Sequence, residues 1–146
     1  MNIATSFAIL NDPEQALPYY EHCLELLKTK NDLNALAQVK SNMAYMFIKT
    51  NKIPKAKKYL KESVKIFKDE INSSWQAFAQ INLGEILLLE KKYDSALILF
   101  KDSNKLLKET YDPQRKAETY LGLSQAYFLK NDITQSEIMA LKADSI

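Results

Sequence analysis

Side chains suited to bond-making chemistry are scarce in this chain of 146 residues, which holds one His and one Cys. His22 and Cys23 are neighbours. Adjacent residues on a helix diverge by about 100°, so these two cannot act as a catalytic or metal-binding pair. A single Cys excludes an intramolecular disulfide and a Cys-rich zinc site. Cys23 is expected to be a buried, inert thiol and His22 a surface residue. The acidic residues are scattered, with no acid–base pair in a plausible pocket. Neither Gly belongs to a phosphate-binding loop. The chain therefore reads as no enzyme, with no catalytic residue, no metal site and no cofactor.

Charge excludes further classes. The balance is 20 basic against 18 acidic residues, a net +2, which makes no electrostatic case for nucleic acid or an anionic membrane. One helix is strongly basic through Lys52, Lys55, Lys57, Lys58, Lys61, Lys65 and Lys68, and reads as a solvated outer face. Arg115 is the single Arg, whereas base readout leans on Arg for bidentate contacts. No stretch nears the roughly 20 apolar residues that span a bilayer. The first ten residues lack the basic end and apolar core of a signal peptide, and a cytoplasmic location is expected.

Two Gly in the whole chain argue against turn-rich β structure. Apolar residues at three- and four-residue spacing predict helix almost throughout. Breaks fall at Asn11-Asp12-Pro13, Asn31-Asp32, Asn51-Lys52-Ile53-Pro54, Tyr111-Asp112-Pro113 and Asn131-Asp132. Asp and Asn can accept from the free N–H groups of a first turn, and Pro fits there because its missing donor is unneeded. Pro18 is expected near the start of its helix, with at most a small bend.

The sequence repeats at 40 residues without a gap. Small residues align at Ala4, Ala44, Gly84 and Ser124, at Ala16, Ala56, Ala96 and Ser136, and at Cys23, Ser63, Ser103 and Ala143. Bulky ones align at Phe7, Phe47, Leu87 and Tyr127, and capping candidates at Asp32, Asn72 and Asp112. Small residues let neighbouring helices approach to the short end of the usual 8–10 Å separation, and large ones fill the remaining space. Each unit is then an antiparallel helix pair that must stack on the next to bury its apolar face.

The order Leu83-Gly84, Leu87, Ala96, Phe100, Ser103, echoed by Leu123-Ser124, Tyr127, Ser136, Ala140, Ala143, resembles the tetratricopeptide repeat (TPR). The unit is longer than the usual 34 residues, and the usual Trp and closing Pro are absent from their places. Longer units of this kind resemble arrays in bacterial regulators, including receptors for signalling peptides. The resemblance implies an all-α, right-handed superhelical solenoid of antiparallel helix pairs. Its divisions are a partial repeat over 1–30 and repeats over 31–70, 71–110 and 111–146, with the whole an excerpt of a longer chain.

In this family the first helix of each pair lines a concave groove. Carried onto this register, the resemblance places Asn42, Tyr45, Phe78, Ile81, Asn82, Glu85, Leu121, Gln125 and Phe128 there as candidate contacts for a protein or peptide segment. Asn2, Asn42 and Asn82 share one register position, and an amide with both donors and an acceptor can pair with a peptide backbone. A clamp for an acidic chain terminus is disfavoured, because Glu118 on that face repels a carboxylate. The apolar strip suits an apolar or amphipathic segment. Trp75 reads as a structural residue. The expected function is a non-catalytic binding scaffold. The alternative is a regulatory or sensory module whose groove or end helix serves contacts within a longer chain. Ile133, Ile138, Met139, Leu141 and Ile146 leave open pairing of the last helix with a second copy, as a homodimer.

Overall fold

The computed structural model describes residues 11–146. Among them are seven helices and no strand: α1 (Pro13–Lys30), α2 (Leu33–Lys49), α3 (Ile53–Asp69), α4 (Ser73–Leu89), α5 (Tyr93–Leu106), α6 (Pro113–Leu129) and α7 (Ile133–Asp144). The expected starts hold. Asp12, Asp32, Asn72, Asp112 and Asp132 each accept the backbone N–H three residues on, at 3.0–3.4 Å, which satisfies one of the orphan donors of a first turn. Pro13, Pro54 and Pro113 sit in first turns, and Pro18 lies inside α1 without ending it.

The helix ends follow a half-period of the repeat. Asn31, Asn51, Ile71, Lys91 and Asn131 have φ between 53° and 63°, the left-handed conformation that closes a helix, and Asn11 has φ 64°. After α2, Asn51 N–H donates to Ile48 O and Lys52 N–H to Phe47 O. The same two bonds recur at Lys91 and Lys92, and at Asn131 and Asp132. Asn tolerates this conformation; β-branched Ile71 does so at a cost. The series skips Tyr111. Here α5 stops at Leu106 and a turn through Thr110, whose N–H donates to Leu107 O, carries the chain to α6.

The chain divides into two compact units, Met1–Glu70 and Ile71–Ile146. In the first, α2 packs against both α1 and α3. Its core holds Ala16, Tyr20 and Leu24 from α1, Ala37, Ala44 and Phe47 from α2, and Ala56, Leu60 and Phe67 from α3. Phe47 meets Tyr59 edge to face at 5.8 Å, and Lys40 pairs with Glu62 at 2.7 Å. Ser63 donates to Tyr59 O in its own helix at 2.8 Å and lies 3.1 Å from Ala37 O across the pair. Its slot thus takes a hydroxyl without an orphaned donor.

In the second unit α4 packs on α5, α6 on α5 and α7, and α4 also meets α6. Phe100, fully buried on α5, is the centre. A Cβ on Gly84 would lie 2.6 Å from two of its ring atoms, and one on Gly122 would lie 2.5 Å away. Both glycines of the chain therefore serve one ring. Ile81, Leu88, Ala96, Leu97, Leu123 and Ala126 complete the cluster. The small slots are filled as the register predicts: Ala44, Ala56 and Ala96 are fully buried. Cys23 departs from expectation, being half-buried, because its place on α1 is only partly covered. His22 is exposed.

Candidate functional site

The first helices of the pairs, α4 and α6, carry the residues predicted to face a groove in the second unit. Steps of three and four residues set Leu121, Gln125 and Phe128 on one side of α6, and all three are exposed. Leu121 keeps 54% and Phe128 59% of its surface open to solvent, and Leu89 at the end of α4 keeps 65%. Leu121 and Phe128 thus lie two turns apart on one side of α6, with Gln125 between them, and leave apolar surface there uncovered. Glu85 on α4 is exposed too. Glu118 accepts from Gln114 at 3.0 Å, so its carboxylate is engaged along its own helix.

Ile81 and Asn82 lie differently. They are 4% and 3% exposed, and the Asn82 amide donates to Phe78 O at 3.0 Å. Gly122, in the same register as Asn82, is buried against Phe100. In this unit that register position turns inward, so the Asn82 amide is committed to its own helix. In the first unit Asn42 and Tyr45 are half-buried. Lys49 lies 4.8 Å from the centre of the Tyr45 ring and donates to Asn11 at 2.7 Å. Asn2, the first of the Asn series, lies outside the described residues.

Beside Phe78 stands a constellation that periodicity does not reveal. The Arg115 guanidinium lies 4.6 Å from the Phe78 ring centre and 5.2 Å from that of Trp75. The two rings meet edge to face at 5.4 Å. Arg115 Nε is 3.2 Å from Asp112 Oδ2, and the Ser74 hydroxyl donates to the same carboxylate. Burial pushes the Asp112 carboxyl up. The Ser74 hydroxyl, the Arg115 backbone N–H and the charges of Arg115 and Lys116 outweigh it, and the net result lies below the usual carboxylate value. A planar cation held on two rings and by a carboxylate is rigid, so the starts of α4 and α6 are fastened together. Trp75 is half-buried in this stack. The signals for it were the lone Arg, the lone Trp and the N-cap Asp112, but nothing in their spacing joins them.

Among the described residues no cluster of three or more His, Cys, Asp or Glu could hold a metal ion. No helix among them is long and apolar enough to cross a membrane.

Residues 1–26 match the family model described as tetratricopeptide repeat. Of the solved structures, BtubC (BKLC) from P. vanneervenii superposes with a TM-score of 0.82 at 19% identity, over 98% of this chain and 59% of that one. A putative kinesin light chain from Podosopora anserina with nearly identical TPR-like repeats superposes with a TM-score of 0.76 at 12% identity, over 97% of this chain and 69% of that one. The fold is a TPR-like, all-α helical repeat. The chain spans about three fifths of the length of BtubC. A comparison with curated proteins gave no match. The stacking of helix pairs in such repeats gives extended faces.

Proposed function

We propose that the chain is a non-catalytic scaffold that holds an apolar or amphipathic segment of a protein partner on the α4–α6 face. The observation that carries this reading is the exposure of Leu121 and Phe128 beside Gln125 on one side of α6. Phe78 is half-buried and pinned under Arg115. It offers a fixed ring edge, and Glu85 and Gln125 supply polar partners at the rim. Anchors of this kind, apolar at the centre and polar at the edge, are what a short amphipathic helix needs. In the first unit, taken by itself, Asn42 and Tyr45 on α2 are proposed as contacts for a partner segment. Ile81 and Asn82 act from beneath: they shape the face, and a partner would meet them only through the residues above.

The test is capture from the source lysate with the wild-type chain and with a Leu121→Glu, Phe128→Glu double variant. Both positions are exposed, so the variant should keep the wild-type thermal midpoint. A protein retained by the first and released by the second, whose binding segment then binds the purified wild type in calorimetry, supports the reading. Equal retention by both chains places the contact elsewhere and overturns it.

A further inference from the structure

The second unit carries nine Lys and Arg against ten Asp and Glu, so a basic cluster within it does not follow from composition. Such a cluster exists. A cleft of about 460 Å³ is lined by Asn104, Lys105, Lys108, Lys116 and Tyr120, with no acidic residue among them. Its origin is the early end of α5. The helix stops at Leu106, and the turn that follows carries Lys108 at the mouth of the cleft with Lys105, while Lys116 and Tyr120 come from α6. A fourth lysine, Lys142 of α7, sits 5.8 Å from the centre of the Tyr120 ring.

Some lysines elsewhere in the chain pair with a carboxylate, among them Lys28 with Glu25, Lys40 with Glu62, Lys92 with Glu90 and Lys130 with Asp94. Among the described residues, Lys105, Lys108 and Lys116 form no such ion pair. Asp112, whose carboxyl Lys116 helps to lower, is held by Ser74 and Arg115. Three ammonium groups around one concavity repel one another and make it locally positive, which favours an anion there. A single carboxylate would answer one of them. A group with two charges and several acceptor oxygens answers more, and lysine binds such groups as a point charge with three donors. The Tyr120 hydroxyl and the Asn104 amide add neutral donors at the same cleft.

We propose that this cleft between the end of α5 and α6 binds a phosphoryl group, carried either on a partner's phosphorylated side chain or by a free phosphate ester. Tyr120 and Leu121 are adjacent, so their side chains diverge by about 100° on α6. The cleft is therefore separate from the apolar face of the proposed scaffold function and can be tested without it.

The ¹⁵N-labelled full chain is titrated with inorganic phosphate at matched ionic strength, then with a short phosphoserine peptide and its unphosphorylated form. The expected result is a saturable shift of the backbone amides at Asn104, Lys105, Lys108, Lys116 and Tyr120. A Lys105→Gln, Lys116→Gln double variant should weaken it by about tenfold or more. A Lys61→Gln, Lys65→Gln variant of the basic α3 should leave it unchanged, as should Leu121→Glu, Phe128→Glu. Tighter binding of the phosphopeptide than of phosphate and of the unphosphorylated peptide assigns the group to a protein. Tighter binding of phosphate assigns it to a small ester. A shift that does not saturate, or one equally strong in the Lys105→Gln, Lys116→Gln variant, overturns the site.

Discussion

Two helix pairs in the second unit occupy the same register and solve one packing problem in opposite ways. In α4 and α5, the slots are Gly84, Ala96 and Phe100; in α6 and α7 they are Ser124, Ser136 and Ala140. The first pair drives a large ring against bare backbone, with Phe100 touching where side chains at Gly84 and Gly122 would stand. The second has no ring to insert, and two hydroxyls join it. Ser124 donates to Ser136 O at 2.8 Å, and Ser136 donates to Ser124 O at 2.9 Å. A repeat therefore fixes how near two helices come, and leaves open whether apolar surface or hydrogen bonds hold them there. The ring contact depends on shape and tolerates no added atom. The hydroxyl contact depends on partners and tolerates small changes in volume.

The largest effect should come from removing the ring. Phe100→Ala leaves two glycines facing a void, and loss of a fully buried Phe costs about 3–5 kcal/mol. Urea denaturation followed by circular dichroism should show a midpoint shift of that size. A cost below about 1 kcal/mol would mean that Gly84 and Gly122 close the gap, and that the ring contact is no tighter than the hydroxyl one. Gly84→Leu tests the same contact from the other side. Its first added carbon already lies 2.6 Å from two atoms of a fully buried ring. Overpacking of this kind costs about 1–3 kcal/mol, read by the same denaturation. A neutral result would place Gly84 away from the ring.

The hydroxyl contact should be cheaper to break. Ser136→Ala removes one donor and leaves Ser124 with an acceptor in the Ser136 carbonyl, so the loss should be near 1 kcal/mol, the ordinary net worth of one hydrogen bond. If Ser136→Ala costs as much as Phe100→Ala, the contrast between the pairs fails.

What the 40-residue register made legible follows the same division. Helices, caps and small slots depend on local spacing, so Asp32, Asn72 and Asp112, and Ala44, Ala56 and Ala96, fell where one pass along the chain put them. The face of α4 was less legible. Ile81 and Asn82 share the groove-side stripe with Phe78 and Glu85. A first helix also has to meet the second helices beside it, and a single position of about 100° decides which neighbour covers it. Gly122 shows the inward outcome, because a helix position that receives the ring of Phe100 cannot also face a ligand. Arg115 was illegible for another reason. Its contacts with Trp75, Phe78 and Asp112 join the starts of two helices. A cation resting on rings leaves no periodic trace.

The turns extend the contrast to the backbone. Asn closes a helix in the left-handed conformation at positions 31, 51 and 131, whereas Ile71 does so with φ 53°. Its side chain is 86% exposed, so it gains little burial to offset the strain of a β-branched residue there. Left-handed geometry costs an L-residue about 1–2 kcal/mol, and Asn escapes part of that cost through local hydrogen bonds. Ile71→Asn should therefore stabilise the fold by a fraction of that amount, on the order of 0.5–1 kcal/mol, seen as a small rise in the denaturation midpoint. It should leave the Phe100 and Ser136 effects additive with it, since Ile71 lies exposed in the turn before α4 and those two are buried. A drop in stability would show that the exposed Ile71 side chain makes a contact worth more than its backbone strain, and that this turn is set by packing and not by the residue that best fits its φ.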